Sequence, residues 1–464
     1  MSYRENMKYL FEPRSVALIG ATDKPGKVGR AIAENLLKFP GKVYFVNIKC
    51  EDGSELLGKP CYKSIKNIPD EVDLAVIAVP AKVVPSVVKE CVEKGVKAII
   101  IITAGFRETG PEGAKLEEEI LKIVEGTGVA VLGPNCLGVY VPKTQLDTIF
   151  NPPDRQDKPK HGGIAFISQS GAFGAAFMDR MADLDIGLSK FISYGNAMQI
   201  DESDLIDFLN EDPDTKVIAA YIEGVKDGRK FAEVLKRLKK PLVVFKAGVT
   251  SAGAKAASSH TGSLAGTAEI YKGVFRQFRI VDVFDMQELL DASIALERQP
   301  AMKGERVAIV TNGGGAGVMT SDYVVLHGMK LAELKPETKE LLRSKLPPAA
   351  SVHNPVDVLG DAPVERYEVA IDAVMKDENV DAIIVIALMQ SPAIDFEKFY
   401  EMMLKKAKEA NELGKPVVVI LPGGRVPRKY VKKFNEAGIP AYITPLQAVK
   451  ALRALKIRGE RRFF

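Results

Sequence analysis

The stretch Val16-Ala-Leu-Ile-Gly20-Ala21-Thr22-Asp-Lys-Pro-Gly26-Lys27-Val28-Gly29-Arg30 reads as a strand, a glycine turn and the start of a helix. Consecutive apolar residues suit a strand covered on both faces. Glycines at the turn let backbone N–H groups at the helix start approach an anion. The same alternation continues outward. Apolar runs of strand length at 43–46, 74–79, 98–102 and 130–132 are separated by helical periodicity over 30–38, 83–93 and 116–124. Strands alternating with helices predict a parallel sheet with helices on both faces. A polar, Pro-rich connector at 151–163 leads to a second unit with strands at 164–167, 217–221 and 242–245. Another connector at 298–304 leads to a third, with strands at 307–310, 382–386 and 417–420. The predicted class is α/β throughout, with doubly wound parallel-sheet domains at 1–150, 151–298 and 299–464, in keeping with roughly 150 residues per domain.

Composition narrows the function classes. Of 464 residues, 46% are hydrophobic and 27% charged, enough to bury real cores. The 64 basic and 60 acidic side chains leave a net charge of +4, so no global pull toward nucleic acid is expected. The N-terminus lacks a signal-peptide core and no apolar run is long enough to span a bilayer, which predicts a cytoplasmic protein without membrane association. The four cysteines, at 50, 61, 91 and 136, form no CxxC pair. They predict reduced thiols and no metal site. The absence of Trp and the wealth of Lys, Glu, Ile and Val lean toward a thermophile.

Several segments carry site chemistry. The first turn is not GxGxxG, and the second strand ends in Lys49 where a dinucleotide site would place an acidic residue for the ribose. A lysine there suits an extra phosphate, such as the 3′-phosphate of CoA; an ordinary glycine turn with a surface lysine is the alternative. Ligands of open α/β sheets bind beyond the carboxyl ends of strands. Val79-Pro80-Ala81 and Ile102-Thr103-Ala104 are therefore candidates to line a CoA groove, with Asn135 and Cys136 toward its thioester end. Cys136 has no basic neighbour in sequence to activate it. Two further strand–turn–helix starts, at Ser170-Gly171-Ala172 and Gly314-Gly315-Ala316-Gly317, offer unpaired N–H donors to a phosphate, or pack strand against helix through glycine. Of the four histidines, only His260 sits in a loop of small residues, Ala256-Ala-Ser-Ser-His260-Thr-Gly-Ser. Gly248 to Lys255 fails as a P-loop, because Ala254 separates Gly253 from Lys255 and no Ser or Thr follows the lysine.

Together these segments resemble the α subunit of the NDP-forming acyl-CoA synthetases, the superfamily that includes succinyl-CoA synthetase. The resemblance rests on Gly20-Ala-Thr, Val79-Pro-Ala, Ile102-Thr-Ala-Gly, Gly133-Pro-Asn-Cys-Leu-Gly, Ser168-Gln-Ser-Gly, Tyr221-Ile-Glu-Gly, Lys246-Ala-Gly-Val-Thr and Ser259-His-Thr-Gly, in that order. It implies a Rossmann-like CoA-binding domain followed by two flavodoxin-like CoA-ligase domains. The third, joined to the α portion as in the ADP-forming acetyl-CoA synthetases of archaea, favours acetate-type or other monocarboxylic substrates over succinate. A succinyl-type ligase subunit and a non-catalytic CoA-binding scaffold are the alternatives. The resemblance further implies that acyl-CoA and phosphate react through an acyl phosphate. His260 would take the phosphoryl group and Glu223 would orient it, while the helix starts at 170–172 and 314–317 hold the phosphate. No segment resembles an ATP-grasp domain, so ADP/ATP with Mg is expected on a separate β subunit, in an α2β2 assembly.

These readings predict that calorimetry detects binding of CoA and none of NAD⁺. Replacing Lys49 with Ala should weaken CoA more than dephospho-CoA, by at least about tenfold if the lysine meets the 3′-phosphate.

Overall fold

The computed structural model describes residues 2–255 and 268–461. The chain forms two compact units, Met1–Asp183 with Gly187–Val274, and Leu184–Ile186 with Phe275–Phe464.

The first unit holds two sheets. Strands β1 (Ser15–Ile19), β2 (Lys42–Val46), β3 (Ser54–Leu56), β4 (Lys59–Tyr62), β5 (Leu74–Ile77), β6 (Ala98–Ile101) and β7 (Ala130–Leu132) lie in the order β3-β4-β2-β1-β5-β6-β7. Every residue of β1, β5, β6 and β7 is buried, as continuous apolar strands of a parallel sheet require. β1 pairs in parallel with both β2 and β5, with Ile19 opposite Val46 and Ile77. The chain winds first to one side of β1 and then to the other, so a crevice opens beyond its carboxyl end.

In the second sheet, β8 (Gly138–Val141), β9 (Leu146–Asp147), β10 (His161–Ser168), β11 (Leu188–Ser193), β12 (Val217–Ile222) and β13 (Leu242–Lys246) run in the order β13-β12-β10-β11-β8-β9. β10 to β13 pair in parallel, and the winding again reverses at β10. The helix Gly171–Asp183 follows β10 directly.

The second unit contains β14 (Val281–Val283) and a sheet of β15 (Arg306–Thr311), β16 (Lys330–Leu331), β17 (Val356–Asp357), β18 (Ala382–Ile386), β19 (Val417–Ile420) and β20 (Ala441–Tyr442). Its main path is β16-β15-β18-β19-β20, all parallel, with β17 beside β15.

Three features differ from the sequence expectation. The sheets carry antiparallel edges, β3 with β4 and β8 with both β9 and β11. β3, β4 and β9 lack apolar runs, and β8 is a run of only four residues, so pattern alone does not mark them. β8 and β9 join the second sheet although they precede residue 150, and His161 begins β10 rather than lying in a connector. Finally, Cys50 and Cys61 form a disulfide with Cα atoms 6.0 Å apart, against the expectation of four reduced thiols. A spacing of eleven residues carries no framework signature; the sulfurs meet because β4 returns beside β2, with Phe45 opposite Cys61. Cys91 and Cys136 are free and buried.

Lys190 of β11 is 1% exposed, and its ammonium lies 2.8 Å from Asp212 Oδ2. Removing one partner of a buried pair strands the other charge. Asp212→Ala should therefore destabilise the protein by about 3 kcal/mol in guanidinium denaturation. Replacing both residues with apolar side chains should recover much of the loss.

Candidate functional site

The turn after β1 is shaped by two close approaches. Gly20 has φ +98°, and a Cβ there would stand 2.3 Å from the Ala78 carbonyl oxygen. A Cβ on Gly29 would stand 2.0 Å from the Gly20 carbonyl oxygen. Glycine at both places lets the helix Val28–Leu36 start against the turn, with Lys27 as its extended N-cap. Asn47 fixes the other wall. Its amide donates to the Ala21 carbonyl (2.7 Å), and its Oδ1 accepts the Lys49 N–H (2.9 Å). Between them lies a cavity of about 570 Å³ lined by Gly20, Ala21, Thr22, Val28 and Gly29, with Lys24, Lys27 and Lys49 at its edge. Three exposed lysines around one glycine turn suit the phosphates of a nucleotide-like ligand.

Val28 and Ala78 also line a second cavity of about 840 Å³. Its walls are the ends of β5 and β6 (Val79, Ile102, Thr103, Ala104), the segment Asn135-Cys136, and the helix start Ser170-Gly171-Ala172. The two cavities thus form one groove along the carboxyl edge of the first sheet, ending at the helix of the second. Pro80 and Ala81 line neither cavity; they lead into the single turn Ala81–Val83. Thr103 is held by its hydroxyl, which donates to the Val79 carbonyl at 2.7 Å. Burial pushes the Cys136 thiol up to about 12, and it donates to the Ile101 carbonyl at 3.3 Å, so the structure gives it no nucleophile's environment. At the helix start, Ser170 Oγ accepts the Phe173 N–H (3.3 Å), and the first-turn donors of Gly171 and Ala172 belong to the groove wall.

Glu223 follows β12 and is 7% exposed. Gln169 Oε1, from the turn after β10, accepts both the Glu223 and the Gly224 N–H, the latter at 3.0 Å. Lys246, at the end of β13, donates to the Glu223 carbonyl at 2.7 Å and to the Ala247 carbonyl. Its ammonium lies 4.6 Å from the Tyr271 ring centroid, and Tyr271 in turn accepts the Val225 N–H at 3.0 Å. Burial lowers the Lys246 pKa, against the nearby Glu223 charge. Burial, then Glu223, pushes Tyr221 up to about 12. The Glu223 loop is therefore tied to β10, β13 and the helix Ala268–Gln277 at once.

Three family models cover the chain: a CoA binding domain over 14–142, a succinyl-CoA ligase like flavodoxin domain over 161–296, and a ligase-CoA domain over 307–461. The alpha subunit of ADP-forming acetate–CoA ligase II from Pyrococcus furiosus is 43% identical, with 97% of each chain covered. An ADP-forming acetate–CoA ligase I from Archaeoglobus fulgidus is also 43% identical, over 97% of this chain and 63% of that one. The chain belongs to the ADP-forming acetate–CoA ligase family. In structure it is similar to the dinucleotide forming acetyl-coenzyme A synthetase 1 of Ca. Korarchaeum cryptofilum, solved in complex with phosphate and ADP. The TM-score is 0.89 at 38% identity, covering 98% and 97% of the two chains.

Within this ligase fold, Gly20, Ala21, Thr22, Lys27, Val28, Gly29, Lys49, Val79, Ile102 to Ala104, Asn135, Cys136 and Ser170 to Ala172 share one groove. His260 lies outside the described residues. Gly314, Gly315, Ala316 and Gly317 open the helix Gly314–Leu326 of the second unit. There a Cβ on Gly315 would meet nothing within 4 Å, while one on Gly317 would stand 3.1 Å from Thr311 Cγ2, so Gly315 stands clear and Gly317 serves packing. Sequence reading of the ligase motifs passed over Gln169, although it stands inside Ser168-Gln-Ser-Gly. Lys246 was quoted without a role, and Tyr271, in an ordinary helix, carries no motif signal.

An unsatisfied buried N–H costs about 1–3 kcal/mol. Gln169→Leu should therefore speed hydrogen exchange at the Glu223 and Gly224 amides by at least about tenfold. Amides in the middle of β10 and β12 should stay protected.

Proposed function

We propose that this chain is the α subunit of an ADP-forming acyl-CoA ligase whose principal acyl group is acetyl. The overall conversion is acyl-CoA, ADP and phosphate to carboxylic acid, ATP and CoA. The observation that carries the reading is the groove itself. It begins among three lysines, passes over a glycine turn and two strand ends, and finishes at a helix start near the turn that Gln169 anchors to Glu223.

CoA would lie with its phosphates toward Lys24, Lys27 and Lys49, and its thioester toward Asn135 and Ser170. Phosphate held at the N–H groups of Gly171 and Ala172 attacks the thioester carbonyl. The C–S bond breaks, CoA leaves as the thiol, and an acyl phosphate forms. A neutral ring nitrogen of His260 then attacks phosphorus and the carboxylate departs. Positioning and dipoles aimed at the phosphoryl oxygens supply most of such catalysis. Glu223 accepts from the other ring nitrogen, which sets the tautomer and stabilises the phosphorylated ring. Gln169 and Lys246 hold its N–H and carbonyl, which fixes the point from which the side chain starts. Gly314 to Gly317 offer a second helix start of the same kind for phosphate. The relatives named as alpha subunits point to a partner chain. We assign to it an ATP-grasp fold, Mg and ADP/ATP, in an α2β2 assembly.

Incubating the chain with labelled phosphate and acetyl-CoA should give an acid-labile, base-stable label. His260→Ala should abolish the label and turnover with the partner while leaving CoA binding intact; Glu223→Gln should shorten the label's lifetime. Stoichiometric acid-labile label on His260→Ala would sink this reading.

A further inference from the structure

Beyond Gln169 lies a small polar cavity of about 70 Å³ that the groove residues do not explain. It shares Asn135 and Gln169 with the groove, and so adjoins the end proposed for the thioester. Its other walls include Arg107, Asn196, Glu202 and Lys226.

The polar groups are held in place. Asn196 donates to Glu108 (2.6 Å) and Glu117 (2.8 Å), and accepts from Asn135 (3.2 Å). Arg107 pairs with Glu117 at 2.6 Å. The Lys226 ammonium donates to the Ala197 and Met198 carbonyls, at 3.1 and 2.9 Å, which uses two of its three protons. Glu202 is 0% exposed. Its Oε1 accepts the Lys226 N–H (3.1 Å), while its Oε2 is buried without a hydrogen-bond partner among the described residues. A buried carboxyl oxygen left unpaired beside a cavity is costly unless something else meets it. Two non-glycine residues of the wall, Asn135 (φ 55°) and Ala197 (φ 51°), also adopt left-handed backbone. Such conformations persist where the surrounding structure requires them and gather at functional sites.

We propose that this cavity binds a small carboxylate, the acid released by the ligase reaction, with Lys226 supplying charge and Glu202 Oε2 the meeting hydrogen-bond partner. The inference rests on the proposed ligase activity and adds to it a place for the acid. The volume admits a group of a few heavy atoms. Ala197 and Val225 give a short alkyl end an apolar contact that a phosphate would not use. Two carboxyl groups at hydrogen-bond distance must share a proton. Burial, then the Asp201 charge, raises Glu202 to about 7, against the opposing Lys230. Among the described residues, the Lys226 ammonium and the Tyr194 and Tyr271 hydroxyls also act with it, and the Arg107 guanidinium lines the same cavity. The protonated form dominates below that value, so acid binding weakens as pH rises through about 7.

The test is titration of the full chain, with CoA present, by ¹³C-labelled acetate followed by NMR. Acetate affinity should fall as pH rises through about 7. Lys226→Met should weaken acetate at least about tenfold with CoA binding unchanged. Glu202→Gln, which keeps a donor at every pH, should flatten the pH dependence. Equal acetate affinity in Lys226→Met and the parent chain would overturn the proposal. So would pH-independent acetate binding by the parent chain, which needs no variant to fold. Inorganic phosphate displacing acetate with the same dependence on Lys226 would make the cavity a phosphate site and overturn it too. CoA binding is read in the same samples, so failure of the ligase reading shows there, and failure of the cavity shows in the acetate titration alone.

Discussion

Parallel pairing of β1 with β2 and β5 sends the carboxyl ends of the first sheet's parallel strands to one edge. Residues as distant in sequence as Gly20, Asn47, Val79, Thr103 and Asn135 thereby line one groove. The second sheet obeys the same constraint, so Gln169 after β10, Glu223 after β12 and Lys246 at the end of β13 share an edge. Parallel strands buried on both faces admit helices above and below but leave these edges open for loops. The described groove residues of the first unit stand at these strand ends and the helix starts that follow them, and the sheets supply the rigidity.

Burial governs how the charged groups behave. Exposed lysines around the glycine turn remain free to meet phosphate. Deeper in the unit Lys190 pairs with Asp212, whereas two other lysines are committed to backbone carbonyls: Lys246 at Glu223 and Ala247, and Lys226 at Ala197 and Met198. Burial lowers the pKa of both lysines, and their contacts brace loops. Glu108 shows the opposite balance. Burial alone raises its pKa, but Asn196 and the Gly105 and Phe106 N–H groups outweigh that and hold it below the usual carboxylate range. Glu202 has no comparable set of donors, and it stands out for that reason.

The alternation of apolar runs with helical periodicity made the α/β class legible, because strands covered on both faces must be apolar throughout. β18 and β19 lie where the pattern placed them, at 382–386 and 417–420. The glycine turns were legible as well, since so few residues tolerate the approach that Gly29 makes to the Gly20 carbonyl. The ordered motifs pointed to the family that the relatives then showed. Strands without an apolar run escaped notice. β11 contains the buried Lys190, and the β3–β4 hairpin is rich in charged and polar residues.

Local pattern determined which segments become strands and helices, which turns take glycine, and which chemical groups stand at strand ends. It did so because those choices depend on backbone sterics and burial within a few residues. Only tertiary structure decided which distant groups meet. The Cys50–Cys61 bond depends on β4 returning beside β2. The grip of Gln169 on Glu223 and Gly224 depends on β10 pairing with β12. The cavity around Glu202 depends on loops from both sheets of the first unit closing over one another. Such meetings are set by strand order and loop packing, which no single stretch of the chain encodes.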